Sequence, residues 1–168
     1  NISIASLNVI LQGKSYREVN LDNKYFYEVM DQSEEIPTSS QPSIDELLDV
    51  FKSIVKSGDN VVGVFLSSDM SGTYSSAHLA KNMVLEEYPD ARIEIIDSRT
   101  NCMQMGFQVI EGARAAKEGK SIEEVVEVVN NVVKSSRFLF VPDTLRYLKK
   151  GGRIGGAAAL FGTILQIR

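Results

Sequence analysis

The chain has 168 residues with a formal net charge of −4, and its length suits one domain with its own hydrophobic core. A single cysteine excludes a disulfide framework, and one cysteine with one histidine cannot supply the ligands of a typical zinc site, so no metal is expected. The pI near 5.1 argues against a dominant nucleic-acid surface, because phosphate binding needs an excess of lysine and arginine.

The first fifty residues predict short strands followed by a loop. Residues 2–11 and 14–19 predict two strands joined by a tight turn, and residues 25–30 predict a short helix. Residues 31–50 carry six acids and no base, and they contain two prolines near three adjacent hydroxyl side chains. That composition predicts a loop before the next helix.

The rest of the chain alternates helices with apolar runs. Two helices are predicted after Ser-x-x-Glu capping boxes at Ser43 and Ser121, which satisfy the free N–H groups of a first turn. Further helices are predicted over residues 73–88 and 101–117, the latter nearly all apolar and therefore central. The runs that predict buried strands are residues 60–66, 92–96 and 138–141. This order predicts an α/β fold with a mostly parallel sheet flanked by helices.

Both ends of the chain suggest part of a longer protein. Asn1 begins a segment that already has a strand pattern, and Arg168 directly follows an apolar stretch. The start lacks the basic and apolar regions of a signal peptide. The longest uncharged run, residues 154–167, is too short to span a bilayer. We therefore expect a cytoplasmic protein without stable membrane insertion.

Polar residues follow each predicted strand, at the end where open parallel sheets bind their ligands. The segments rich in hydroxyl and small side chains are residues 67–73, 97–101 and 142–144. Ser71, Gly72 and Thr73 also open a helix, whose free N–H groups and partial positive charge favour an anion. Each serine separately is explained as a cap or turn residue, but one cap needs only one hydroxyl.

The common catalytic patterns are not found in the sequence. It has no Gly-x-Ser-x-Gly nucleophile elbow, and both Gly-Lys-Ser segments, at 13–15 and 119–121, lack the earlier glycine of a P-loop. A Ser-His-acid triad would need His78, which falls inside a predicted helix and is better explained as a surface or half-buried residue. Cys102 is best explained as a buried small residue, with a reactive thiol as the alternative.

Two features near the end of the chain each have two interpretations. Residues 144–153 carry four bases and no acid. Lys149 and Lys150 suit a helix C-terminus, whereas Arg153 could contact an anion or a partner. Residues 154–167 suit either a core helix or the wall of a tunnel for an apolar ligand. A carboxylate site beside such a wall would suit an amphiphile such as a fatty acid.

Four segments together resemble the DegV family of bacterial fatty-acid-binding proteins, several of which are the lipid-carrying subunit of fatty-acid kinase. These segments are PTSSQPS at 37–43, LSSDMSGTYSSA at 66–77, IDSRTNCMQMG at 96–106 and DTLRYLKKGGRI at 143–154. The resemblance implies two α/β domains that hold a fatty acid between them, with its carboxylate bound by hydroxyl groups. The carboxylate-binding residues that it implies are Ser39 and Ser71, with Ser40, Gly72 and Thr73 as neighbours.

The chain departs from the family pattern at three positions. Ser39 stands where the family usually has threonine, Asp69 replaces a common glycine, and Arg146 replaces a common glutamate. Ser39 keeps the hydroxyl group, whereas an acid beside an anion site is unfavourable unless it points to solvent. The resemblance also implies that residues 1–153 form the N-terminal domain without its first strand. Residues 154–168 would then begin a second, lipid-covering domain that is largely absent from this chain.

Two functions of different classes follow as expectations. The first is a binding protein that holds a long-chain fatty acid and presents its carboxylate to a separate kinase, which forms the acyl phosphate. Such a protein needs no cofactor and no catalytic residue of its own. The alternative is an enzyme that acts on a small anionic substrate at the same strand ends, with Ser71, Asp97 or Cys102 as the reacting residue. A third interpretation is that these residues form no functional site without the rest of the protein.

Overall fold

The computed structural model describes residues 1–33 and 35–155, so most of the predicted apolar helix or tunnel wall at 154–167 lies outside the described residues. The described chain divides into two compact units. The large unit contains Asn1–Leu7 and Gln41–Phe138, and the small unit contains Asn8–Ser40 together with the chain from Leu139 onwards.

The small unit contains a three-stranded antiparallel sheet. Strand β1 (Asn8–Leu11) pairs with β2 (Lys14–Arg17) across a two-residue turn, which confirms the predicted hairpin. Both turn residues, Gln12 and Gly13, have positive φ angles of 49° and 73°, as the favoured hairpin turns require. Strand β3 (Thr38–Ser40) pairs with the other edge of β1 and lies in the segment that was predicted to be a loop. Pairing with β1 overrides the loop-like composition of that segment.

The described residues of the small unit include two short α-helices. Helix α1 (Asn23–Asp31) follows a 3₁₀ turn (Glu18–Asn20), and the carboxylate of Asp22 caps it by accepting a hydrogen bond from the backbone N–H of Tyr25 at 2.8 Å. The second is α6 (Arg146–Lys150), which ends at Gly151. The predicted short helix at 25–30 is therefore confirmed and slightly extended.

The prediction of a third buried strand at residues 138–141 is wrong. These residues form no strand, and Leu139 and Val141 are 89% and 97% exposed. An apolar run of four residues does not by its hydropathy distinguish a strand from irregular chain.

The large unit is built on a parallel sheet with helices packed against it. Strands β4 (Val61–Phe65) and β5 (Ile93–Asp97) pair in register from Val61 with Ile93 to Phe65 with Asp97. The helices pack in two pairs, α2 (Ile44–Lys56) with α3 (Thr73–Glu87) and α4 (Cys102–Lys117) with α5 (Ile122–Ser135). Both pairs contact the sheet, which confirms the predicted α/β class with a parallel sheet and flanking helices.

The main hydrophobic core lies between α2, α3 and the sheet. Its buried side chains are those of Leu47, Phe51, Val61, Ala77, Ala80, Val84 and Ile93. Residues four apart share one face of a helix, so Leu47 and Phe51 both point into this core from α2. Phe51 meets Phe65 of β4 edge to face, with ring centroids 6.4 Å apart.

Both predicted helix caps are confirmed. The Ser43 hydroxyl oxygen accepts a hydrogen bond from the backbone N–H of Glu46 at 3.2 Å at the start of α2. At the start of α5 the capping box is complete: Ser121 accepts from the N–H of Glu124 at 3.3 Å, and the Glu124 carboxylate accepts from the N–H of Ser121 at 2.8 Å.

Helix α4 is not buried all round, contrary to the prediction of a central apolar helix. Its buried residues are Gln108, Gly112 and Ala115, while Met103 and Phe107 are exposed. A Cβ atom at Gly112 would lie only 2.7 Å from Cγ2 of Val129, so α4 approaches α5 closely through small residues. No helix in the described residues is long and apolar enough to cross a membrane.

Candidate functional site

Ser71 and Thr73 form a hydroxyl pair at the start of α3. Their side-chain oxygens are 2.8 Å apart, and the Ser71 oxygen also accepts a hydrogen bond from the backbone N–H of Thr73 at 3.2 Å. Thr73 is buried, Ser71 is half-buried and Gly72 is exposed. The first N–H groups of a helix have no partner within it, and the helix dipole makes this end partly positive. The arrangement is therefore chemically suited to an anion such as a carboxylate.

The side chain of Gln41 reaches the same helix start. A Cβ atom at Gly72 would lie 2.9 Å from Oε1 of Gln41. Gly72 has an ordinary φ of −70°, so glycine is needed there for space and not for an unusual conformation. Gln41 directly follows Ser39 and Ser40 in the chain, and its place in the segment 37–43 is the only sequence signal that could have pointed to it.

The other predicted site residues lie in the small unit. Ser39 and Ser40 are exposed in β3, opposite Val9 and Asn8 of β1. Arg153 is exposed just after α6, and its guanidinium donates a hydrogen bond to the carbonyl of Gly151 at 2.6 Å. The structure thus describes these three residues within the small unit, and their part in ligand binding stays a prediction.

Asp97, the last residue of β5, ties together the loops that follow β4 and β5. One carboxylate oxygen accepts from the Ser68 hydroxyl at 2.7 Å, and the other accepts from the backbone N–H groups of Arg99 at 2.9 Å and Ser68 at 3.3 Å. The Arg99 guanidinium donates to the Ser68 hydroxyl oxygen at 3.4 Å and to the Asp69 carboxylate at 2.7 Å. The sequence pattern predicts that these residues follow two strands, but it does not predict that Asp97 pairs with Ser68 or Arg99 with Asp69.

The hydrogen bonds of this network lower the pKa of the Asp97 carboxyl. Partial burial acts to raise the pKa of the Asp97 carboxyl, but hydrogen bonds from Ser68 and Arg99 and the positive charge of Arg99 outweigh it, so that the pKa lies below its ordinary value. Asp69, the acid expected to disfavour an anion, is mostly exposed and paired with Arg99. It therefore meets the condition that such an acid points to solvent.

A buried polar layer supports the loop after β5. Ser98 is buried, and its hydroxyl donates to the carbonyl of Thr100 at 3.0 Å. The same carbonyl accepts from the backbone N–H of Ser67 at 2.9 Å, which joins this loop to the one after β4. From α4, the buried side chain of Gln108 donates to the carbonyl of Ser98 at 3.1 Å.

Cys102 and His78 were both considered above as reacting residues. Cys102 is exposed, so the prediction of a buried cysteine is wrong. It lies off the buried face of α4, which is set by Gln108, Gly112 and Ala115. His78 is half-buried with its ring packed edge-on against Tyr74, with centroids 4.7 Å apart, as predicted for a helix position. Among the described residues, no cluster of three or more His, Cys, Asp or Glu side chains could hold a metal ion.

The fold and site define a class: an α/β protein with a hydroxyl-bearing helix start at the carboxyl ends of parallel strands. Residues 1–168 match the family model described as "Uncharacterised protein, DegV family". The chain therefore belongs to the DegV family, which confirms the resemblance seen in its four segments.

A curated relative and three solved structures are similar to the chain. A DegV domain-containing protein of Clostridium acetobutylicum is 54% identical over 167 residues, which cover 99% of this chain and 58% of the relative. A stearic acid-binding protein from Eubacterium ventriosum has a TM-score of 0.86 and 36% identity, covering 96% of this chain and 57% of that one. DegV of Bacillus subtilis, described as a fatty acid binding protein, has a TM-score of 0.84 and 35% identity, covering 96% and 56%.

The third solved structure is described as the Fatty Acid Kinase (Fak) B3 protein of Streptococcus pneumoniae, loaded with linoleic acid. It has a TM-score of 0.82 and 29% identity, covering 93% of this chain and 54% of that one. The chain thus spans 54% to 58% of the length of this relative and these three structures.

Proposed function

We propose that the protein binds a long-chain fatty acid and presents its carboxylate to a partner kinase. The observation that carries this proposal is the hydroxyl pair of Ser71 and Thr73 at the start of α3. One hydroxyl of the pair donates to the other, which leaves the hydrogen of the second for the carboxylate, and the positive end of the helix dipole favours the carboxylate charge. Solved relatives described as binding stearic or linoleic acid support this choice of anion.

In this proposal Ser39 and Ser71 bind the carboxylate, with Ser40, Gly72 and Thr73 beside them. Arg153 contacts the partner or an anion, because its exposed guanidinium keeps donors beyond the one given to the Gly151 carbonyl. The acyl chain is covered by the second domain, of which residues 154–168 would be the beginning. The location of the protein in the cytoplasm stays a prediction from its sequence.

The proposed chemistry belongs to the partner kinase. A carboxylate oxygen of the bound fatty acid attacks the γ-phosphorus of the kinase's nucleoside triphosphate, the bond to the β-phosphate oxygen breaks, and acyl phosphate and nucleoside diphosphate result. The DegV-family chain contributes orientation and shielding of the acyl chain. No cofactor of its own is required by this scheme.

The first test is chemical identification of the ligand. We expect mass spectrometry of lipid extracted from the full-length protein to find a long-chain fatty acid. Ser71→Ala should weaken fatty-acid binding by about 1.5–3 kcal/mol, the range for a hydrogen bond to a charged group. Ser75→Ala, at an exposed position in the same helix, is the matched control and should leave binding unchanged. Absence of bound fatty acid together with equal affinities of the two variants would exclude the proposal.

The second test separates binding from catalysis. Mixed with a fatty-acid kinase catalytic subunit, nucleoside triphosphate and magnesium, the loaded protein should yield acyl phosphate, which hydroxylamine traps as a hydroxamate. The Arg153→Ala variant should lower this yield without altering fatty-acid affinity if Arg153 contacts the kinase. Turnover of a small anionic substrate by the purified protein alone would instead favour the enzyme alternative, with Ser71, Asp97 or Cys102 as the reacting residue.

A further inference from the structure

We propose that Asp97 is a positioning residue for the carboxylate site at the start of α3. It would hold the loop of residues 67–73 so that the Ser71 and Thr73 hydroxyls keep their geometry, without touching the ligand itself. This inference rests on the function proposed for the Ser71 site and adds to it the residue that determines its shape.

The hydrogen bonds lead from Asp97 to Ser71 in a short series. The Asp97 carboxylate holds Ser68 by both its hydroxyl and its backbone N–H, at 2.7 and 3.3 Å. The neighbouring residue Ser67 accepts, at its carbonyl oxygen, the backbone N–H groups of Met70 at 2.9 Å and Ser71 at 3.1 Å. Fixing Ser67 and Ser68 therefore fixes the turn that delivers Ser71 to the helix start.

The chain that follows Asp97 is held by buried hydrogen bonds. The backbone N–H of Ser98, the residue after Asp97, donates to the carbonyl of Phe65 at 3.0 Å. Ser98 and Gln108 are both buried, and Gln108 holds the Ser98 carbonyl from α4. The loop that leads to Ser71 and Thr73 is thus attached to buried residues, as functional sites require for a fixed geometry.

Arg99 adds a second connection on the exposed side. Its φ of 56° lies in the left-handed region, which is uncommon outside glycine, asparagine and aspartate. In this conformation its backbone N–H donates to Asp97 while its guanidinium reaches Ser68 and Asp69. The hydrogen bonds of the Asp97 carboxylate therefore go to the two loops that follow β4 and β5.

The test compares Asp97→Ala and Asp97→Asn in the full-length protein with Glu94→Ala, which removes an exposed acid from the same strand. Hydrogen exchange of the amides of residues 67–73 is measured without ligand. Affinities are measured for a long-chain fatty acid and for its methyl ester, which lacks the carboxylate. We expect Asp97→Ala to accelerate exchange in the loop and to weaken binding of the acid about ten- to hundred-fold, with little change for the ester.

Asp97→Asn should restore part of the affinity, because its amide oxygen can still accept from the N–H groups of Ser68 and Arg99. In the Ser71→Ala background, Asp97→Ala should lower the fatty-acid affinity little further, because the Ser71 hydroxyl that Asp97 would position is already absent. Unchanged exchange at 67–73, equal losses for acid and ester, or additive losses with Ser71→Ala would each overturn the inference. Faster exchange in Asp97→Ala with no effect of Ser71→Ala on acid binding would refute the proposed function and leave the support of the loop by Asp97 intact.

Discussion

The side chain of Gln41 occupies the space beside the α-carbon of Gly72, where its Oε1 would be 2.9 Å from a Cβ atom. The helix start at Ser71 therefore has a polar side chain from a distant part of the sequence lying against it. The Gln41 side chain fits there because Gly72 has no Cβ atom.

Gly72→Ala should displace the Gln41 amide without unfolding the protein, because the contact is with the flexible end of a side chain. We expect the free energy of unfolding to change by no more than about 0.5 kcal/mol. The displaced amide could then no longer donate to a carboxylate at the helix start, so fatty-acid affinity should fall by about 1.5–3 kcal/mol, the range for a hydrogen bond to a charged group, as measured by fluorescence displacement. Gln41→Ala should cause a similar loss, and the double variant no more than either. Additive losses would show that Gly72 and Gln41 act separately.

Gly112→Ala should destabilise the protein by about 1–3 kcal/mol, because the added methyl group would lie against Val129 of α5 in a well-packed interface. Gly106→Ala is the matched control in the same helix. Its added methyl group meets only the flexible end of Met103, so better helix propensity should leave stability unchanged or raise it by up to about 1 kcal/mol. Equal effects of the two substitutions in urea unfolding would contradict this close approach of α4 and α5.

The stabilisation from Asp97 should depend on pH in a defined direction. Its folded-state pKa lies below the ordinary value of 3.8, so the folded protein binds the proton less readily than the unfolded chain. The contribution is therefore complete above the ordinary pKa and is lost as the pH falls through the folded-state pKa. Asp97→Asn should be less stable than the parent protein at pH 7, and this difference should shrink below about pH 4.

Chemical denaturation at a series of pH values measures this difference directly. Asp90→Asn, at an exposed aspartate in the loop before β5, controls for the loss of one negative charge. A difference between the parent protein and Asp97→Asn that stays constant through the acid range would show that Asp97 makes no charge-dependent contribution to stability.

Ser121→Ala should cost about 1 kcal/mol of stability, because it removes the acceptor for the N–H of Glu124 at the start of α5. Ser135→Ala, which removes an exposed hydroxyl near the other end of the same helix, should cost less. Thermal unfolding of both variants measures the difference. If the two melting temperatures were the same, the capping box would not contribute measurably to the fold.

Local signals account for the parts of the fold that could be predicted. Ser43 and Ser121 were identifiable as caps because the hydrogen bonds involved span only three residues. Residues 38–40 form a strand because they pair with β1, although their composition predicts a loop. The apolar run at 138–141 predicts a strand, but these residues form none. Hydropathy within a segment carries no information on that pairing.

In the candidate site, too, the features with local sequence signals could be predicted and those formed by distant segments could not. Ser71, Gly72 and Thr73 were identifiable because they adjoin in sequence and open a helix, whereas the Asp97–Ser68 pair is separated by 29 residues. Their meeting depends on β4 and β5 being neighbours in register, which follows from the folded sheet. The proximity of Gln41 to Gly72 likewise depends on the packing of α2 on α3, because Gln41 lies just before α2 and Gly72 just before α3.

Two consecutive residues of α4 should tolerate substitution in the opposite order from what their hydrophobicity suggests. Phe107 is 54% exposed, while Gln108 is fully buried with its amide on the Ser98 carbonyl. In a saturation scan scored by folding, polar residues would be accepted at the phenylalanine and nearly all replacements rejected at the glutamine. A hydrophobicity scale used to choose stabilising substitutions would fail at both positions, and a library for engineering this domain should hold Gln108 constant while varying Phe107.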